Sequence, residues 1–238
     1  MDYKDYQNGA SPQHFWFKAK NNLIEVLLSK ISKTNKNKLL DIGAGTGNDL
    51  DILNKFGLVH VIDIDQKPLD LIPSTQVFEK KQCNACAITY ADNFFDIALA
   101  FDVLEHIEDD QQAVAEIMRV LKPGGYLIFT VPAYQWLFSA HDTYLAHARR
   151  YNKKSIAKLL KNFTKTTLGS WLFFLFPCAA IVRLLNKNNK NNNHEKTPNK
   201  YINFILLTIL KSEALLIRNG LILPWGLTIY GIYRKPHQ

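Results

Sequence analysis

The stretch LLDIGAGTGNDL, residues 39–50, decides the fold. Leu39–Ile42 is a short apolar run of the kind that forms a buried strand. Glycines then stand at every second position, Gly43, Gly45 and Gly47. They leave the main chain bare, so that a ligand can lie against it. A helix is expected near Asn48–Phe56, stopped by Gly57. Strand, glycine turn and helix form the nucleotide cradle of doubly wound sheets, where ligands settle at the carboxyl ends of the strands.

Working outward, LVHVIDID (58–65) reads as a second strand, VFEKKQC (77–83) as a third and FDIALAFDVL (95–104) as a fourth. The fourth lacks apolar–polar alternation, as expected when both faces are covered. A helix follows, opened by Glu108, Asp109 and Asp110, which suit the positive end of its dipole. Val114, Ile117, Met118 and Leu121 share one face of it, and Arg119 and Lys122 close it. KPGG (122–125) predicts a turn, and YLIFTVPA (126–133) a fifth strand. Strands alternating with helices give an α/β, doubly wound, mostly parallel sheet. Upstream, Pro12 to about Ile31 reads as a helix with Phe15, Ala19, Leu23, Val26 and Leu27 on its apolar face.

The turn is not tuned to a phosphate. Asn48 occupies the third glycine position of the dinucleotide fingerprint G-x-G-x-x-G, and the phosphate loop G-x-x-x-x-G-K-[ST] is missing. Asp63 falls 20 residues after Gly43, at the end of the second strand. An acid there can accept both hydroxyls of a ribose. The ligand expected is therefore a ribonucleoside that needs no phosphate.

Four blocks in order, LLDIGAGTGNDL, VIDID, NACAITYADNFFDIALAFDVLEHIED and LKPGGYLIFTVPA, resemble the class I S-adenosylmethionine-dependent methyltransferases. The resemblance covers roughly residues 12–155. It implies a Rossmann-like sheet of seven strands with helices on both faces and an antiparallel last strand. It implies S-adenosyl-L-methionine as cofactor and S-adenosyl-L-homocysteine as product. By the same resemblance Asp41 orients the turn and the amino group, while Gly43, Ala44, Gly45 and Gly47 receive the methionine part. Asp63 takes the ribose, Ile64 packs on adenine, and Asn84 with Ala85 reaches the adenine edge. Phe101, Asp102 and Val103 wall the methyl donor. QHFWFKAK resembles a cap helix, with His14, Trp16 and Phe17 covering the site and Lys20 meeting the methionine carboxylate.

The acceptor side is less specific. His106 lies in VLEHIED, and SAHDTYLAHARRYNK brings His141, Asp142, His147, Arg149, Arg150 and Tyr151 into eleven residues. The catalytic expectation is His141 as proton acceptor, with His106 and Asp142 shaping the site. His147, Arg149, Arg150 and Tyr151 form the expected substrate side, the arginines suiting a carboxylate or phosphate. No metal is expected, since a His141–His147 pair has unusual spacing for zinc. Cys83 and Cys86 form a lone C-x-x-C, read as incidental thiols. With Cys178 they give no disulfide framework and suit a reducing cytoplasm.

Charge divides the chain: residues 1–138 hold 13 Lys/Arg and 18 Asp/Glu, residues 139–238 hold 16 and 3. A basic half invites an anionic neighbour. Trp171, Phe173, Phe174 and Phe176 among Lys158, Lys161, Lys165 and Arg183 suit an anionic membrane surface, giving a cytoplasmic protein with peripheral membrane contact. The alternative is that these segments complete the sheet. Thr166–Val182 is uncharged but, at 17 residues, short of the ~20 of a membrane helix. The Asn/Lys stretch 186–200 reads as a mobile loop. Tyr201–Arg218 reads as a helix, apolar at Ile202, Ile205, Leu206, Ile209 and Leu210, and GLTIYGIYRK (226–235) as the last strand. The N-terminus lacks the pattern of a signal peptide.

One domain is expected over 1–238: a cap helix (1–33), a cofactor-binding core (34–165) and an apolar, basic C-terminal part (166–238). AFDVLEH after the fourth strand argues against the Asn-Pro-Pro-Tyr chemistry of DNA-base methylation. RNA stays open as a substrate, behind a small or lipid-linked anionic molecule. A sensor or partner subunit that binds the cofactor without catalysis is the other class.

Overall fold

The computed structural model describes residues 14–185 and 198–237. Helix positions expected before His14, and most of the 186–200 loop, lie outside the described residues. Seven strands form one sheet: β1 (Asn37–Ile42), β2 (Gly57–Asp63), β3 (Glu79–Gln82), β4 (Phe95–Phe101), β5 (Leu121–Pro132), β6 (Thr164–Trp171) and β7 (Thr228–Arg234). Their order is β3-β2-β1-β4-β5-β7-β6. The first five are parallel, and β7 runs antiparallel to both β5 and β6. The winding direction switches between β1 and β4, so the crevice for a ligand opens at their carboxyl ends.

Successive residues of β1 serve opposite faces. Leu39 joins one apolar core with Leu23, Leu27, Val61 and Leu99. Leu40 joins the other with Ile62, Ala98, Leu127 and Ile117. Both leucines are fully buried, which is why the strand sequence shows no polar alternation.

On one face lie α1 (Phe15–Ser29), α2 (Leu50–Leu53) and α8 (Lys200–Arg218). His14 caps α1, its Nδ1 accepting from the Trp16 N–H at 3.2 Å. On the other lies α4 (Asp110–Val120), buried through Ala113, Val114, Ile117 and Val120. Its cap is Asp109, which accepts from the Gln112 N–H at 2.9 Å. Short helices α3 (Gln66–Asp70), α5 (Ala140–Tyr144), α6 (Lys153–Leu159) and α7 (Phe176–Leu185) complete the chain.

Three expectations need correction. The helix after the glycine turn is one turn long, Leu50–Leu53. KPGG does not separate helix from strand: the helix gives way directly to β5 at Leu121, and KPGG is a bulge within that strand. Leu121 pairs with Phe95 and Tyr126 with Ile97, so the surplus residues loop out, with Gly124 at φ +78°. The apolar face expected for 201–218 is also different. Leu210, Ala214 and Ile217 are buried, together with Glu213, whereas Ile202 and Ile205 are exposed. The uncharged stretch 166–182 supplies the end of β6 and the start of α7.

Candidate active site

The carboxyl ends of β1, β2 and β4 open into a cleft of about 1010 Å³. Its floor is the glycine turn. Gly43 (φ +68°) and Gly45 (φ +53°) adopt left-handed backbone, and a Cβ on Gly43 would lie 2.5 Å from Val103 Cγ2. Only a bare backbone fits there. Gly47 departs from its expected role. It is left-handed too, but a Cβ on it would meet Leu50 and Ile72, and it does not line the cleft. It allows the turn to pack rather than receiving the ligand.

Asp63 is aimed by the backbone. Its Oδ2 accepts from the Gly45 N–H at 2.9 Å and its Oδ1 from the Asp65 N–H at 2.9 Å. Both oxygens keep lone pairs for further donors. Ile64, 69% exposed, forms a rim. Asn84 and Ala85 line the same end. The Asn84 side-chain oxygen already accepts from the Cys86 N–H at 2.9 Å, which shapes this loop.

The other end is charged. Lys20 Nζ lies 3.1 Å from Asp102 Oδ2, and Asp102 Oδ1 accepts from Thr130 Oγ1 at 2.9 Å. Asp102 sits at φ +56°, unusual for a residue with a side chain. Burial disfavours the Lys20 charge, but Asp102, Asp49 and Asp41 outweigh it and raise its pKa. Burial, with Asp49 beside it, pushes the Asp41 carboxyl well above the usual range. A cationic amine and acids at one end, a bare turn in the middle and a ribose-aimed acid at the other match an amino-acid nucleoside. The residues thus fit S-adenosylmethionine, for which Asp63 would hold the ribose, Gly43 and Gly45 the methionine chain, and Lys20 and Asp41 its charged end.

Phe15, Trp16 and Phe17 of α1 line the cleft, as do Phe101 and Val103. Trp16 also packs on Trp171, with ring centroids 5.3 Å apart.

Beyond the cradle, His106, His141 and His147 all line the cleft. Asp142 pairs with His147: its Oδ1 lies 2.9 Å from His147 Nδ1. Asp142 is fully buried and also bonds Arg150 Nε at 2.7 Å, so it positions other groups. Burial would raise its carboxyl, but His147 and the arginines hold it well below the usual range. His147 and His106 meet edge to face, centroids 4.6 Å apart.

Three expected substrate residues are committed to the scaffold. Arg149 pairs with Asp110 at 2.8 Å, and the buried Tyr151 donates to the same Asp110 at 2.8 Å; neither lines the cleft. Arg150 reaches its wall but is 7% exposed, bonded to Asp142 and to the Ala133 carbonyl. Sequence reasoning missed Glu105, which lines the cleft at 1% exposure, and Arg183 of α7, 3.7 Å from Asp142. The acid before His106 in VLEHIED was the one signal for Glu105.

Fold and cleft define a doubly wound domain with a backbone-anchored acid, Asp63, at the end of its second strand. Residues 40–129 match the family described as "Methyltransferase domain". A ubiquinone/menaquinone biosynthesis C-methyltransferase of Cronobacter sakazakii is 34% identical over 128 residues, 46% of this chain and 49% of that protein. An uncharacterized methyltransferase of Mycobacterium sp. is 27% identical over 125 residues, 49% of this chain and 50% of that one. The chain thus spans about half the length of the curated relatives it matches. Among solved structures, a Haemonchus contortus phosphoethanolamine N-methyltransferase in complex with S-adenosyl-L-methionine has a TM-score of 0.60 at 20% identity, over 91% of this chain and 53% of that one. The [4+2]-cyclase SpnF has a TM-score of 0.60 at 19% identity, over 91% and 82%. At these identities the likeness concerns the fold. Through residues 40–129 the chain is thus similar to S-adenosylmethionine-dependent methyltransferases, and the cleft residues fit that cofactor.

Proposed function

We propose that this protein moves the methyl group of S-adenosylmethionine to a small or lipid-linked acceptor bearing an anionic group. The observation that carries the reading is one cleft whose cradle end and histidine end are continuous. The cofactor supplies a methyl group already activated on a sulfonium. The protein's part is alignment and exclusion of water, which together can contribute ~7–11 kcal/mol. Trp16, Phe17 and Phe101 close the donor side.

An acceptor that must lose a proton needs a base. His147 is the best oriented, because Asp142 holds its Nδ1 and leaves Nε2 to take the proton. His141 is the second candidate in the same wall. General-base assistance of this kind contributes ~10²–10⁴-fold.

Support for a lipid-linked acceptor comes from the cleft mouth. Val182 and Arg183 line it, and Ile181, Val182, Leu184 and Leu185 of α7 are exposed together with Tyr201, Ile202, Phe204 and Ile205 of α8. Among the described residues no helix is long and apolar enough to cross a membrane. Exposed apolar side chains on two helices of the basic half of the chain suit an anionic lipid surface.

The test has four arms. Calorimetry should find S-adenosylmethionine bound and NAD not bound; no binding overturns the reading. Mass spectrometry of a cell extract given the protein and S-adenosylmethionine should reveal a species one CH₂ heavier; binding without any such product favours a sensor. His147→Ala and His141→Ala should retain cofactor binding, with turnover falling in at least the first. Protein that ignores anionic liposomes at low salt removes the membrane part.

A further inference from the structure

Glu105, His106 and His147 each bring a ligand-type atom to one place, all three within 4.8 Å of one another. Methyl transfer as derived above uses His147 alone of these. Glu105 is the more telling group. It is 1% exposed, and neither of its oxygens has a hydrogen-bond partner from another described residue. A carboxylate in a dry wall without a donor is costly unless a cation or a proton answers it.

His147 is set up as metal-binding histidines are. Its Nδ1 is tied to Asp142 Oδ1 at 2.9 Å, which fixes the tautomer and presents Nε2. Asp142 is itself fixed by Arg150 at 2.7 Å. The nearby guanidinium groups of Arg150 and Arg183 both address Asp142, whose charge offsets theirs. All three candidate ligands line the cleft, which leaves a fourth position facing it.

We propose that Glu105, His106 and His147 form a binding site for a first-row divalent cation, with Zn²⁺ the best chemical match. Two imidazoles and one carboxylate with an open position make a three-ligand zinc set. A tetrahedral shell at the usual bond lengths has edges of ~3.3 Å, so the side chains draw together on loading. The inference concerns cation binding; a bound cation would occupy the same His147 Nε2 that the proposed function gives to a proton, so the two roles exclude each other in a loaded chain.

The test uses the full chain after treatment with a chelator. Titration with Zn²⁺ should give one equivalent bound, and Co²⁺ in its place should give the visible absorption of a low-coordinate site. Glu105→Gln, His106→Ala and His147→Ala should each weaken binding by at least the ~10- to 100-fold that loss of an outer partner of a ligand costs, with circular dichroism reporting which variants fold. A Cys83→Ser/Cys86→Ser variant should bind as the unaltered chain does. No stoichiometric uptake by the unaltered chain overturns the proposal. So does undiminished binding in the folded variants, or binding lost with the cysteines instead.

Discussion

Lys20 Nζ lies 3.1 Å from Asp102 Oδ2, so the first helix is ion-paired to the end of β4 inside the cofactor cleft. Asp102 feels burial, which raises its carboxyl, but Lys20 pulls it below the usual range. The two charges depend on each other. Lys20→Met would leave Asp102, Asp41 and Asp49 without their cation. Breaking a buried pair costs ~3–5 kcal/mol, and the low end applies here because the pair is not wholly dry. Urea denaturation should show that loss, calorimetry weaker cofactor binding, and Asp102→Asn in the Lys20→Met background should recover part of the stability. Unchanged stability in Lys20→Met would mean the pair is idle.

Gly43 and Gly47 separate binding from packing. Both are left-handed, so Ala at either costs ~1–2 kcal/mol in backbone strain. Gly43→Ala also drives a methyl against Val103 in the floor of the cleft. It should abolish measurable cofactor binding. Gly47→Ala meets Leu50 and Ile72 instead, so its melting temperature should fall while affinity, measured where the protein is still folded, falls less. Equal losses of affinity would mean that the two glycines share one role.

Much of this was legible in the sequence because its cause is local. The alternation of glycines, the acid at Asp63 and the cap at Asp109 act within a few residues of themselves, and the doubly wound sheet follows from them. What was not legible depends on distant partners. Asp142 chooses His147 because Ser139 and Asp142 form a capping box that starts α5, which turns the carboxylate inward. Arg149 and Tyr151 go to Asp110, about forty residues earlier in the chain. The apolar stripe of 201–210 looked like a core face, yet only the second half of the helix finds cover, through Leu210, Ala214 and Ile217. Spacing reveals which residues share a face, not which face finds a neighbour.

Asp63→Asn tests the ribose reading. An amide NH₂ cannot accept, so one of the two backbone donors, Gly45 N–H or Asp65 N–H, loses its partner. A hydrogen bond to a charged group contributes ~1.5–3 kcal/mol, which converts to about 10- to 100-fold in affinity. Calorimetry should find that weakening for S-adenosylmethionine and S-adenosylhomocysteine alike, since both carry the same ribose. Undiminished affinity would remove Asp63 from the site.

His60 makes stability depend on pH far from the cleft. It is 1% exposed, caged by Phe78, Tyr90, Phe94 and Phe95 at centroid distances of 4.9, 5.5, 5.7 and 5.2 Å. Burial lowers its pKa from the ordinary 6.5, and Glu79 offsets this only in part. The unfolded chain therefore takes up the proton more readily than the folded one. Its contribution is complete above 6.5 and is lost as pH falls from there towards the lower folded value. Glu79 acts in a more acidic window, because Lys81 first, and Tyr90 with His60 after it, holds its carboxyl below 4.5. Denaturant midpoints should drop between about pH 7.5 and about pH 5.5. His60→Phe, which suits an aromatic cage, should flatten that slope whatever its absolute stability. Parallel slopes for the two proteins would show that His60 does not titrate on unfolding.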